Sequence, residues 1–370
     1  LENIEFSGDP FDHDSEIYSY FDEKREEDNS KYDEWKANLE SKLQSDKNFR
    51  QLWNQFNNLE IPEVELEWSS DEASRVVGGK ILKEYGLSNK FIIGGSADLA
   101  ASTKQIISDN TFGSNNFGGN SIEFGIREHA MGGIVNGLAL HSNLMPYGST
   151  FLVFSDYMRP SMRLASLMNV NSLFIFTHDS IYLGEDGPTH QPIEHLMSLR
   201  LIPNLDVIRP SNSMELIHSY RYALEKRDNP KAIILSRQNM KFFDNDVSYK
   251  DFQTGAYEFM PGSDITLIAT GSELELAFEI STKLKDLSVQ IISAPILNRL
   301  NEERLESLSL NQNIFTIELG RTIGWDTYIQ NIKKSFSIDS FGESAPIDQL
   351  AEKFNFNAEK ISDEIRSLLN

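Results

Sequence analysis

Two doubly wound, mostly parallel α/β sheets behind a helical linker are the architecture this sequence predicts, on three observations. Strand-sized apolar runs alternate with helical stretches from 68 to 243, the pattern of a parallel sheet covered by its own crossover helices. After a polar bridge at 244–249 the alternation restarts and continues over 250–370. The length of 370 residues accommodates two domains and a smaller segment, at roughly 100–200 residues per domain. With 39% hydrophobic and 11% aromatic residues the chain has enough apolar material for real cores.

Residues 1–67 read as helical fragments and linker. Charges surround sparse apolar positions (Trp35, Leu39, Leu43, Leu52, Trp53, Phe56) until Pro62 stops the pattern. Such a segment straps over a neighbouring domain or awaits one. In 68–243, Ser69-Ser70-Asp71-Glu72 has capping-box spacing, and Ala73, Val76, Val77, Ile81 and Leu82 follow at helical intervals. Strands are predicted at 91–93, 147–153, 173–177, 205–208 and 232–235, with helices at 128–141, 157–168 and 214–225. The ligand site of such a sheet lies beyond the carboxyl ends of its strands. In 250–370 strands are predicted at 265–269, 289–292 and 314–317, with a capped helix after Gly271 and a charged helix from Ala358.

Several function classes fall away on composition. Cysteine is absent, which removes disulfides, thiolate metal sites and cysteine nucleophiles together. The net charge is −22, and residues 1–72 hold 21 acidic against 7 basic side chains. So negative a molecule repels nucleic acid and anionic membrane, whereas small phosphorylated substrates need only two or three convergent cations. No apolar run approaches the ~18 residues of a membrane span, and a cytoplasmic location is expected. The start, Leu1-Glu2-Asn3-Ile4-Glu5, has no initiator Met or signal peptide and reads as a cut end.

Chemically suggestive residues crowd into 75–237 and are scarce after 250. Glu128, in Gly125-Ile126-Arg127-Glu128-His129-Ala130, sits at a strand-to-helix turn. It reads either as a first-turn acid favoured by the helix dipole or as a general acid/base. His178-Asp179-Ser180 and the Gly/Pro-rich 184–191 segment with Asp186 and His190 have active-site-loop composition, or form an ordered polar turn. Metal ligation by His190 and His195 fits no common zinc spacing, and no metal ligand is assigned within the chain. Arg75, Ser102, His178 and Arg237 could converge on a phosphate, although single arginines are usually surface ion pairs. Phe151 and Phe154 read as core or as an aromatic platform. No phosphate-cradling or dinucleotide fingerprint occurs, nor a Gly-Asp-Gly motif with its later Asn-rich turn.

Read together, Gly94-Gly95-Ser96-Ala97-Asp98-Leu99, Phe124-Gly125-Ile126-Arg127-Glu128, Pro146-Tyr147 with Ser149-Thr150-Phe151, Thr177-His178-Asp179-Ser180, the stretch from Gly184 to Gln191, and Leu235-Ser236-Arg237-Gln238-Asn239 resemble the transketolase family in order and spacing. The resemblance runs from about residue 60 to the C-terminus, and residues 1–60 resemble that family's interdomain linker. It implies a thiamine diphosphate pyrimidine-binding domain followed by the family's C-terminal domain. It also implies that the N-terminal diphosphate-binding domain, with its divalent metal (magnesium or calcium), lies outside this sequence.

The implied roles follow residue by residue. Glu128 matches the carboxylate at the pyrimidine ring nitrogen, Phe154 the ring that stacks on the pyrimidine, and Phe151 its neighbour. Arg75, Ser102, His178 and Arg237 match sugar-phosphate ligands, Asp186 the reader of a substrate hydroxyl, and His190 a catalytic group near the reacting carbon. His129 and Ala101 depart from the family pattern without removing a functional group. The implied activity is transfer of a two-carbon ketol unit between sugar phosphates, as in the pentose phosphate pathway, by a homodimer completed by a diphosphate-binding domain or subunit. This chain alone is expected to be inactive. Alternatives are dihydroxyacetone synthase, deoxyxylulose-phosphate synthase and a non-catalytic module of the same fold.

Overall fold

The computed structural model describes residues 14–58, 61–64, 71–241, 243 and 247–369. The chain divides into two units, Leu1–Glu60 and Ile61–Asn370, each treated by itself. In the first, helices Ser15–Ser45 and Lys47–Asn58 meet at Asp46, and none of their residues is buried. Asp46 accepts from the Phe49 N–H at 2.9 Å, which caps the second helix. The long first helix relies on pairs three and four residues apart, Lys24 and Lys31 both reaching Glu27. These exposed bridges hold the Glu27 carboxyl down to about 2.

The second unit holds two larger sheets. The first has six parallel strands in the spatial order Ser121–Glu123, Ile92–Ser96, Met145–Phe151, Leu173–Thr177, Lys231–Leu235, Asp206–Ile208. The second orders Ile332–Phe336, Ile314–Ile317, Ile265–Ala269, Val289–Ser293 and Tyr257–Met260, parallel except for the last pair. The central strands of both sheets are buried throughout, as expected where helices cover both faces. Helix Glu128–His141 packs Met131 and Val135 into one core with Met158 and Met162 of helix Ser155–Leu167 and with Phe174 and Phe176 of the sheet. Among the described residues no helix is long and apolar enough to cross a membrane.

The predicted strands and helices recur with shifts of a few residues, and the departures have physical causes. Ser69 and Ser70, half of the predicted capping box, lie outside the described residues. Glu72–Ala73 pairs antiparallel with Asn239–Met240, and the helix Ser74–Ser88 starts behind Ala73 without a side-chain cap. The Ser74 hydroxyl instead bonds the Ser236 N–H at 2.6 Å. Strand Met145–Phe151 ends before Val153, because the chain turns into a 3₁₀ segment, Leu152–Phe154. The sequence reading misses Ser121–Glu123, Tyr257–Met260 and Ile332–Phe336. All three are edge strands interrupted by polar or charged residues, so they lack the unbroken apolar run of a central strand.

Candidate functional site

In the six-stranded sheet the chain moves from Ile92–Ser96 to one side (Ser121–Glu123) and then to the other (Met145–Phe151). This reversal opens a crevice at the carboxyl ends, where ligands of such sheets bind. The sequence candidates lie around these ends. Glu128 opens helix Glu128–His141 just beyond Ser121–Glu123. Gly125, at φ +67°, makes the turn between them, a left-handed conformation natural to glycine. Phe151 ends strand Met145–Phe151, and Phe154 ends the 3₁₀ turn after it. His178 follows strand Leu173–Thr177, and Arg237 lies two residues beyond Lys231–Leu235.

Contacts join most of these residues. Arg75 Nη1 donates to the Ser102 carbonyl at 2.6 Å and lies 3.5 Å from His178 Nε2. The His178 ring centroid is 3.7 Å from that of Phe151. Phe151 and Phe154 stack with centroids 5.9 Å apart and planes 9° from parallel. His190 meets Phe154 edge-on at 5.7 Å, and the same cluster connects it to Phe151 at 6.3 Å. Arg75 and Arg237 line one cavity of about 740 Å³. Ser102 enters through its carbonyl, not its hydroxyl. Asp186 is exposed, and among the described residues no hydrogen bond, ion pair or ring contact joins it or Glu128 to the cluster. Glu128 is 8% exposed, and its carboxylate has no hydrogen-bond or ion-pair partner among the described residues.

Electrostatics set the protonation of this cluster. Burial pushes the His178 pKa down to about 3, and Arg75, Arg237 and His190 add to the shift. The ring is therefore neutral at pH 7. Thr177 Oγ1 lies 2.8 Å from Nδ1, so a tautomer protonated at Nδ1 leaves Nε2 free to accept from Arg75. His178 holds φ +60°, an unusual backbone for a non-glycine residue.

A testable pH dependence follows. Between about pH 6.5, the ordinary histidine value, and about 3, the unfolded chain binds a proton at this position that the folded chain does not. This contribution is fully present above pH 6.5 and is lost as pH falls, at about 1.4 kcal/mol per pH unit. Urea unfolding from pH 6.5 to 5 is expected to show a shallower loss in His178→Gln than in the natural chain. Equal slopes would contradict the assignment.

The second sheet contributes more than its sequence suggests. Its carboxyl-end residues Thr270, Glu273 and Glu318 meet Arg200, Arg209 and Asp179 of the first in a buried ionic network. Arg209 donates to Asp179 Oδ2 at 2.7 Å, to Thr270 O at 2.9 Å and to both oxygens of Glu273. Arg200 grips Glu318 through two bonds of 2.7 Å. Two cations face three carboxylates: burial pushes the Glu273 carboxyl up despite Arg209, whereas Arg200 holds that of Glu318 down despite its burial. Gly271, at φ +55°, lets the Thr270 turn approach closely, since a Cβ there would lie 2.7 Å from the Arg209 guanidinium carbon. The cavity of Arg75 and Arg237 is likewise completed by Ser272, Glu275 and Asp348. These acids gain meaning only when the sheets face each other, and no local motif announces them. Likewise His190 is not grouped with His195, whose ring lies beside Asp156 and Glu194.

Residues 73–242 match the model described as transketolase, pyrimidine binding domain, and residues 255–357 match the transketolase-like C-terminal domain. A transketolase of Staphylococcus aureus is 42% identical over 324 residues, covering 84% of this chain and 48% of that protein. One from Halalkalibacterium halodurans is 35% identical over 376 residues, covering 96% of this chain and 56% of that protein. The solved transketolase of Leishmania mexicana superposes with a TM-score of 0.89 at 30% identity, covering 96% of this chain and 55% of that one. The chain spans about half the length of the curated relatives it matches.

Proposed function

This chain belongs to the transketolase family, and on that premise we propose that it forms the pyrimidine-side half of a thiamine diphosphate active site that moves a two-carbon ketol unit from a ketose phosphate to an aldose phosphate. One observation carries the reading: Glu128, only 8% exposed as a residue, opens a helix at a strand-to-helix turn, and its carboxylate meets no hydrogen-bond or ion-pair partner among the described residues. Its side chain is largely enclosed while the carboxylate oxygens stay open and unpaired, so they are free to meet a hydrogen-bonding group brought in from outside.

The cofactor, when bound, supplies the nucleophilic thiazolium carbon. Within this chain, Glu128 holds a proton or hydrogen bond at the pyrimidine nitrogen, and Phe154, backed by Phe151, covers the ring face, a contact of roughly 1 kcal/mol. Arg75 and Arg237 grip the substrate phosphate. Neutral His178, its Nε2 accepting from Arg75, keeps that guanidinium at the phosphate end without adding a third charge, and Ser102 stands at the same end. Asp186 reads a substrate hydroxyl and His190 stands near the reacting carbon. The diphosphate and its magnesium or calcium ion are held by a diphosphate-binding domain or subunit, and the pentose phosphate pathway is the setting this chemistry suits.

A homodimer is part of the same reading. Ile134, Leu140, Leu164 and Leu167 of the paired helices Glu128–His141 and Ser155–Leu167 are exposed, an apolar surface of the kind that associates. Analytical ultracentrifugation should show a dimer, and a strictly monomeric chain at micromolar concentration would remove this part. The acidic, cysteine-free composition accords with a cytoplasmic location. The central test mixes this chain with a separately produced diphosphate-binding half and follows ketol transfer from a ketose phosphate. Activity is expected only in the mixture; activity of this chain alone would refute the divided site.

A further inference from the structure

Outside the residues assigned above, one buried side chain has no satisfied role. The His195 imidazole is 4% exposed, yet neither ring nitrogen makes a hydrogen bond among the described residues. Its Nε2 lies 3.2 Å from Asp156 Oδ2, misaligned for a hydrogen bond, and its Nδ1 lies 3.9 Å from Glu194 Oε2. Donor atoms of the three residues fall within 4.8 Å of one another. We propose that Asp156, Glu194 and His195 bind a zinc ion.

The dimensions and chemistry fit. Two ligands about 2.0–2.1 Å from a tetrahedral zinc stand about 3.3 Å apart, close to the 3.2 Å between Asp156 and His195. One imidazole with two carboxylates is a mixed nitrogen and oxygen set, which favours zinc over magnesium or calcium. The imidazole is fixed by burial, while the carboxylates are 58% and 56% exposed. They can therefore swing to close the coordination sphere, and water can complete it. The frame is braced one turn away: Arg159 donates to the Ser198 hydroxyl at 3.0 Å and to the Ser198 carbonyl at 2.9 Å. This ties the helix of Asp156 to that of His195 and engages the Arg159 guanidinium with Ser198. Because Asp156 is two residues beyond Phe154 and His195 five beyond His190, a bound ion would cross-link the turns that carry the aromatic cluster.

Titration calorimetry on the full chain, stripped with chelator, tests the site with zinc chloride alone. One zinc per chain is expected, with affinity reduced about tenfold or more in Asp156→Asn and in Glu194→Gln. Both substitutions are at exposed positions, so circular dichroism should remain unchanged. Magnesium and calcium should bind far more weakly, and the cobalt-substituted chain should give a spectrum with nitrogen and oxygen donors that is lost in Asp156→Asn. Absence of stoichiometric zinc, or equal zinc affinity in Asp156→Asn and the natural chain, would overturn the proposal.

Discussion

Replacing Glu128 by glutamine is expected to cut ketol transfer by the assembled two-half enzyme about 10²- to 10⁴-fold, the range for loss of a positioned acid or base. Glutamine keeps the shape of the side chain, and the site is part of a formed helix start, so stability should change little. The loss should appear in kcat with the KM for the sugar phosphate nearly unchanged, because Glu128 is assigned to the cofactor and not to the substrate. Arg237→Ala should show the complementary pattern. Losing a charge-assisted phosphate contact of about 1.5–3 kcal/mol raises KM by about 10- to 150-fold and leaves kcat closer to normal. If Glu128→Gln retained more than a tenth of the activity, the role given to this carboxylate would be wrong.

Arg209→Met should destabilise the second unit by about 3–5 kcal/mol, because it strands Asp179 and Glu273 as buried charges without their cation. Arg209 is 0% exposed, and both acids are buried with it, so water cannot take its place. Against a total domain stability of about 5–15 kcal/mol this is a large fraction. It should be visible as a lower denaturant midpoint and, if the two sheets separate first, as a broader transition. Adding Glu273→Gln to Arg209→Met should recover part of the loss by removing one of the orphaned charges. A change below about 1 kcal/mol in the single variant would mean that the network is not a stabilising junction. His178 stands beside Asp179, so the same substitution reports whether the second sheet holds the turn of His178 in place.

Central strands and amphipathic helices were legible because each is a local pattern. Leu173–Thr177 is five apolar or β-branched residues in a row, and Glu128–His141 carries its buried Met131 and Val135 at helical spacing. Edge strands were not, since a strand such as Ile332–Phe336 carries exposed lysines in its middle. The site divides in the same way. His178 and Phe151 stand in motifs that carry the family resemblance, Arg75 and Phe154 were matched only through that resemblance, and the fold brings the four into one contact network. Arg209, Glu273 and Glu318 belong to no motif. Their ion-pair partners are 30 to 118 residues away along the chain, and only the packing of the two sheets reveals them. The unbonded ring of His195 was equally invisible, because burial without a partner is a property of three dimensions.

The rims of the two sheets have a bearing on how copies of this molecule meet. The outermost strands of the six-stranded sheet, Ser121–Glu123 and Asp206–Ile208, are three residues each. One rim of the other sheet shifts register between Ile291 and Ile292, and the opposite rim presents Lys333 and Lys334. Stubby, irregular or lysine-bearing borders offer a poor template for another chain's backbone. Growth by ribbon extension into fibrils is thereby disfavoured, and association is steered toward side-chain surfaces, where contact ends once a closed pair has formed.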